Sequence, residues 1–116
     1  MTDAQPKVRV LRENESPFEE LAPGRETSQN IEDAGISVMG GGFFRQTTED
    51  AVYSCDVLGD EVMFVYEGEL EVITEDGSSF VATQGEAILV AKGQRITFRG
   101  TLGTKHFWVI YPPVYE

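Results

Sequence analysis

Histidine and cysteine are almost missing from this chain: His106 and Cys55 are the only ones among 116 residues. A single cysteine rules out an intramolecular disulfide. A single histidine cannot supply the imidazole cluster on which a transition-metal site ordinarily rests. Basic residues are also scarce, 9 against 20 acidic ones, for a formal net charge of −11. Such a surface repels a phosphate backbone, which disfavours nucleic acid as a partner; otherwise the charge reads as solubility. Wholly apolar runs extend for only a few residues, far short of the roughly 20 that cross a bilayer. The opening "MTDAQPKVRV" is too polar for a secretory leader. The expectation is a soluble, cytoplasmic protein that uses neither membrane nor nucleic acid.

What the chain does hold is enough for one folded domain. Hydrophobic residues make up 41% and aromatics 10%, sufficient to form a core. Twelve glycines and five prolines are spread along the sequence. Many turns of this kind point to an all-β domain rather than a helical one.

Residues 1–34 differ from the rest and read as a polar N-terminal arm. Pro17, Pro23 and Gly24 interrupt any regular element there. In "SPFEEL", Ser16 stands as a cap and Pro17 at a first helical position, followed by acidic residues, which predicts one helical turn. A short strand is expected over Val8–Leu11. An arm of this type can cover a sheet or a neighbouring subunit, and with the exposed sheet edges it favours a homodimer.

From residue 35 to 116 the period is two. "ISVMGGGFFRQ" predicts a strand whose three glycines suit a bulge or a close backbone approach. "AVYSCDV" places Tyr53, Cys55 and Val57 on one face and Val52, Ser54 and Asp56 on the other. Glu67-Gly68 and Asp76-Gly77 mark hairpin turns, the latter between alternating runs. Leu70 and Val72 share a face, as do Ile96 and Phe98. "KHFWVIYPP" reads as a final, largely buried strand closed by Pro112 and Pro113. "GGG" leads into "FF" rather than into a lysine-bearing helix, so no phosphate loop is predicted. The fold class is therefore all-β, a sandwich or small barrel.

Two stretches carry a family resemblance. Glu61, six intervening residues and Gly68 fit the second half of the first cupin motif. Gly85 and Gly93 fit the glycine frame of the second, with Ala91, Ile96 and Gly100 at its proline, histidine and asparagine positions. Together with "VMGGGFFRQ", "VYEGELEV" and "FWVIYPP", they make the chain resemble the small cupins of the ethanolamine-utilisation Q group. That resemblance implies a jelly-roll (double-stranded β-helix) barrel over residues 35–116, preceded by the arm. It also implies a place in ethanolamine breakdown, associated with bacterial microcompartments, and an acetate-kinase-like activity for which the chain shows no nucleotide-binding motif.

Cupin metals take histidine nitrogens and a carboxylate oxygen. Here the two first-motif histidine positions fall on Cys55 and Val57 in one register, or on Ser54 and Asp56 in the other, and the third falls on Ile96. The reading is a barrel without metal and without cofactor; a degenerate metal site would need Asp56, Glu61 and His106 to converge. The candidate acid/base residues are Glu61, His106 and Tyr53. Cys55, Met63, Phe44, Phe98 and Trp108 are the candidate ligand-binding wall, and the partner is a small-molecule metabolite. Glu61 among aromatics suits an amine or a polyol. Desolvation inside the barrel would fit Glu61 for proton transfer; a satisfied strand-edge carboxylate is the plainer alternative. Tyr53, Cys55 and His106 likewise have ordinary packing readings. An enzyme of lyase, isomerase or hydrolase type and a non-catalytic accessory module both remain open.

Overall fold

The computed structural model describes residues 8–114. Ten strands form two antiparallel sheets. They are β1 (Glu19–Ala22), β2 (Arg25–Thr27), β3 (Gly40–Gln46), β4 (Tyr53–Asp56), β5 (Asp60–Glu67), β6 (Glu69–Thr74), β7 (Ser79–Thr83), β8 (Ala87–Val90), β9 (Arg95–Gly100) and β10 (Lys105–Tyr111). A six-stranded sheet runs β1-β2-β3-β10-β5-β8 and faces a four-stranded sheet ordered β4-β9-β6-β7. None of the described helices is long and apolar enough to cross a membrane.

Alternation decides which side chains enter the core. On β5, Met63 and Val65 are fully buried while Val62 and Phe64 between and beside them are exposed. Leu70 and Val72 on β6, and Ile96 and Phe98 on β9, turn inward to meet them. Burying such a side chain contributes about 1.5–3 kcal/mol, so this shared interior is what holds the two sheets face to face. Only the second turn signal makes a hairpin: Gly77 (φ +88°) turns β6 into the antiparallel β7, whereas Gly68 carries the chain from β5 in one sheet to β6 in the other, with which β5 does not pair.

The glycine run works by close approach. A Cβ at Gly42 would lie 2.1 Å from the Ser28 carbonyl oxygen, because β3 passes tightly under the chain entering α1 (Asn30–Asp33). Ser28 N–H donates to the Phe43 carbonyl there.

The N-terminal segment departs from expectation in three places. Val8–Leu11 pairs with no strand among the described residues, and Val8 and Val10 are exposed. The helical turn is a 3-10 turn at Glu13–Glu15, ahead of Ser16 rather than after it. Pro17 drives the preceding Ser16 into extended backbone, so Ser16 closes the turn, donating its hydroxyl to the Arg12 carbonyl. The strand expected from Ile36 starts only at Gly40, with Ile36, Val38 and Met39 exposed. The expected division at residue 34 marks no break in hydrogen bonding, since β2 pairs with β3 through Arg25↔Gln46 to Thr27↔Phe44.

Candidate functional site

A cavity of about 200 Å³ opens between the sheets. Its wall includes Tyr53 and Cys55 from β4, Glu61 from β5, Phe98 from β9, Phe44 from β3, and His106 and Trp108 from β10. Residues that the sequence scatters over more than sixty positions thus meet in one place. Met63 is the exception. It is wholly buried in the core and lies outside the cavity wall, packed with the other inward side chains of the two sheets.

Glu61 lies near the start of β5, opposite Ile110 on one side and Val90 on the other. Burial among these apolar neighbours pushes its carboxyl up to about 7, with no cation or donor to offset the desolvation. The group divides between acid and conjugate base close to neutrality.

His106 behaves in the opposite sense. It is buried, stacked on Phe44 at 4.8 Å with an 11° interplanar angle. Desolvation, followed by the charge of Arg25, lowers its pKa to about 3. The ring is therefore neutral at physiological pH. It can offer one donor and one acceptor to a neighbouring group. Tyr53 stacks on Phe98 at 6.1 Å and 7°, so its ring is part of an aromatic wall. Cys55 is a partly buried thiol on the same wall and forms no disulfide.

The pleat of β4 decides between the two motif registers. Tyr53 and Cys55 face inward and Val57 is buried in the core, while Ser54 and Asp56 are exposed. Asp56 lies on the cavity rim, but its carboxylate pairs with Arg95 at 3.0 Å. The three histidine positions of a cupin thus fall on Cys55, Val57 and the buried Ile96. Two of those three carry only aliphatic carbon, and among the described residues no group of three His, Cys, Asp or Glu side chains is arranged to hold a metal ion. The residues do not fit the family metal, and Asp56, Glu61 and His106 do not converge on one point.

Several wall residues were not anticipated. Leu21, Thr27 and Gln29 come from the N-terminal segment and Val114 from the C-terminal one. Thr27 Oγ1 accepts the indole N–H of Trp108 at 3.0 Å, which fixes that ring against the cavity. The available signal was Pro23-Gly24 between two short extended runs, a turn mark that brings β1 and β2 together.

Two facing antiparallel sheets, a cavity opening between them and a carboxylate on its wall, without the histidines of a metal site, define a cupin barrel. More narrowly, the chain belongs to the ethanolamine utilisation protein EutQ family, whose model matches residues 26–116. A Salmonella typhimurium LT2 protein assigned as ethanolamine utilization protein Q is 26% identical, with a TM-score of 0.79 over 97% of this chain and 94% of that one. The Clostridium difficile EutQ structure is 24% identical with a TM-score of 0.66; it matches 78% of this chain, which spans only 64% of that one. An RmlC-like cupin from Shewanella frigidimarina NCIMB 400 shares the fold at 17% identity, with a TM-score of 0.71 over 94% and 95% of the two chains. No curated protein sequence matches the chain.

Proposed function

We propose that this EutQ-family cupin binds a small metabolite in its barrel cavity and that Glu61 exchanges a proton with it, without a metal. The observation that supports this reading is the position of Glu61: a carboxyl on an apolar cavity wall, held at about 7 by desolvation. Both proton donor and proton acceptor forms are then available at working pH, the condition under which general acid–base catalysis is most effective. A lyase, isomerase or hydrolase step that needs one such group fits the site.

A second reading has its own observation. His106 is neutral and Tyr53 is stacked, so Glu61 has no evident second acid or base of matched strength. A cavity that recognises a metabolite without transforming it, as an accessory module of a catabolic pathway, matches that economy.

The family's printed name makes ethanolamine and related amines the first ligands to test. An ammonium group would pair with Glu61 once the carboxyl is ionised, so binding should strengthen as pH rises through about 7. Isothermal titration with ethanolamine, other small amines and polyols, for wild type and Glu61→Gln, tests the reading. Heat at millimolar ligand that Glu61→Gln abolishes supports it. No heat with any of these ligands, or heat unaffected by the substitution, overturns it. Turnover of the bound ligand by wild type but not by Glu61→Gln separates enzyme from binder.

A further inference from the structure

Two titratable side chains on the cavity wall, Glu61 and His106, make no side-chain hydrogen bond to any other described residue. His106 is only 2% exposed, and a buried polar group left without a partner is costly. Its stack on Phe44 holds the ring in place but uses neither nitrogen. Both groups face a cavity of about 200 Å³. Their missing partners point to a ligand that meets them there.

The strand register fixes how far apart the two groups stand. Glu61 is opposite Ile110 and His106 is opposite Val65, so they lie four residues apart along the β5–β10 pair. At about 3.3 Å per residue, that is roughly 13 Å. Trp108 falls between them, opposite Met63, with its indole fixed by Thr27. Cys55 and Trp108 line the intervening wall. Glu61 is half-buried while His106 is almost fully enclosed, so the carboxyl stands nearer the opening and the imidazole at the closed end. The cavity is a slot with a different polar group at each end.

We propose that the slot takes an elongated amino alcohol, longer than a two-carbon amine: its ammonium pairs with Glu61, its hydroxyl pairs with His106, and its chain lies along Trp108. The inference rests on the cavity reading above and narrows the ligand class. A hydrogen bond of about 2.9 Å at each end of the roughly 13 Å interval leaves about 7 Å between the ligand's nitrogen and oxygen. An extended chain of about five carbons spans that distance, and one of two carbons covers about half of it. A hydroxyl suits a neutral imidazole in either tautomer, because it both donates and accepts. A second ammonium does not suit that end. The carboxylates of the wall are Glu61, at the other end, and Asp56, which is exposed and paired with Arg95. A cation enclosed beside His106 would lack a counter-charge.

Isothermal titration at about pH 8, where Glu61 is ionised, with a series of straight-chain amino alcohols from ethanolamine upward tests this. Affinity should rise about fourfold for each methylene buried along the wall, peak near five carbons and fall beyond. Pentylamine, which lacks the hydroxyl, should bind at least about fivefold more weakly than 5-aminopentanol, and 1,5-diaminopentane should also bind more weakly. His106→Phe keeps a ring on Phe44 and removes the nitrogens; it should weaken 5-aminopentanol and leave pentylamine unchanged. Should that variant fail to fold, the wild-type comparison of 5-aminopentanol with pentylamine still decides. Equal affinity for those two overturns the proposal, as does a diamine that binds better than the amino alcohol. Ethanolamine binding as tightly as its longer homologues, with loss in Glu61→Gln, overturns the proposal and leaves the cavity reading standing. No binding by any member of the series overturns both.

Discussion

Gly68 and Thr104 meet where the β5–β6 turn crosses the start of β10. A Cβ at position 68 would come 2.6 Å from Thr104 Oγ1 and 2.8 Å from its Cα. Thr104 is buried and holds the turn from both sides, accepting from the Glu69 N–H at 3.1 Å and donating to the Glu69 carbonyl at 3.0 Å. Gly68 also has φ +80°, the left-handed region that side chains disfavour. Gly68→Ala therefore combines strain with a clash against backbone. It should cost about 2–4 kcal/mol, read as a fall in the midpoint of urea unfolding.

Stability should carry the signature of two oppositely shifted groups. Glu61 is raised from 4.5 to about 7, so the folded state holds a proton that the unfolded chain has released. Its contribution is full below about pH 4.5 and falls as pH rises to about 7, by about 3 kcal/mol in all. His106 is lowered from 6.5 to about 3; its contribution is full above about 6.5 and is lost as pH falls toward 3. Between 4.5 and 6.5 the two slopes oppose each other. Chemical denaturation across pH should thus show Glu61→Gln gaining on wild type as pH rises from 5 to 8. An equal difference at both ends contradicts the shift assigned to Glu61.

One carboxylate ties the N-terminal turn to the sheet. Glu13 accepts from the Tyr66 hydroxyl at 2.9 Å and faces Lys105 at 3.3 Å and Arg45 at 4.0 Å. Its charge and hydrogen bond add to the burial that raises the Tyr66 phenol. Partly exposed ion pairs are worth about 1 kcal/mol or less, so Glu13→Ala should barely change the global midpoint. Amide exchange at residues 13–18 should instead accelerate, and added salt should do the same to wild type. Unchanged exchange there would show that Phe18, seated under the Arg45 guanidinium at 3.7 Å, anchors the segment by itself.

The outer face of the six-stranded sheet is apolar where the register joins Leu89, Val62 and Val109, beside Phe64 and Phe107. Leu89 is 72% exposed and Phe64 45%, an unusual surface for a solitary chain. Sedimentation at micromolar concentration should give a homodimer, and Phe64→Glu with Leu89→Glu should give a monomer. A monomeric wild type overturns that expectation.

Much of the barrel was legible because its strands alternate. The inward positions of β4, β5, β6 and β9 follow from the pleat once a single glycine or carboxylate fixes the frame. The motif register itself was not legible. Cys55 with Val57 and Ser54 with Asp56 are equally good strings, and only the β4–β9 pairing, Cys55↔Ile96 and Asp56↔Arg95, shows which pair faces inward. The N-terminal segment was misread for a related reason. Ser16-Pro17 fits a helix start as well as a turn end, and the choice is made by contacts with residues far along the chain, such as Asn30 Nδ2 donating to Ser16 Oγ at 2.7 Å.

Composition and spacing determined that this chain is all-β with too few histidines for an imidazole shell, and the motif resemblance implied the cupin barrel with its carboxylate at Glu61, because those depend on residue identity and local period. Tertiary structure decided what the carboxylate is. Strand pairing set Glu61 between Ile110 and Val90, and the protonation of a carboxyl depends on the water it has lost. It also brought Arg25, from a stretch that reads as a polar arm, over the Phe44 ring at 5.7 Å, a contact with no sequence signature because it rests on distance across a fold and not along a chain.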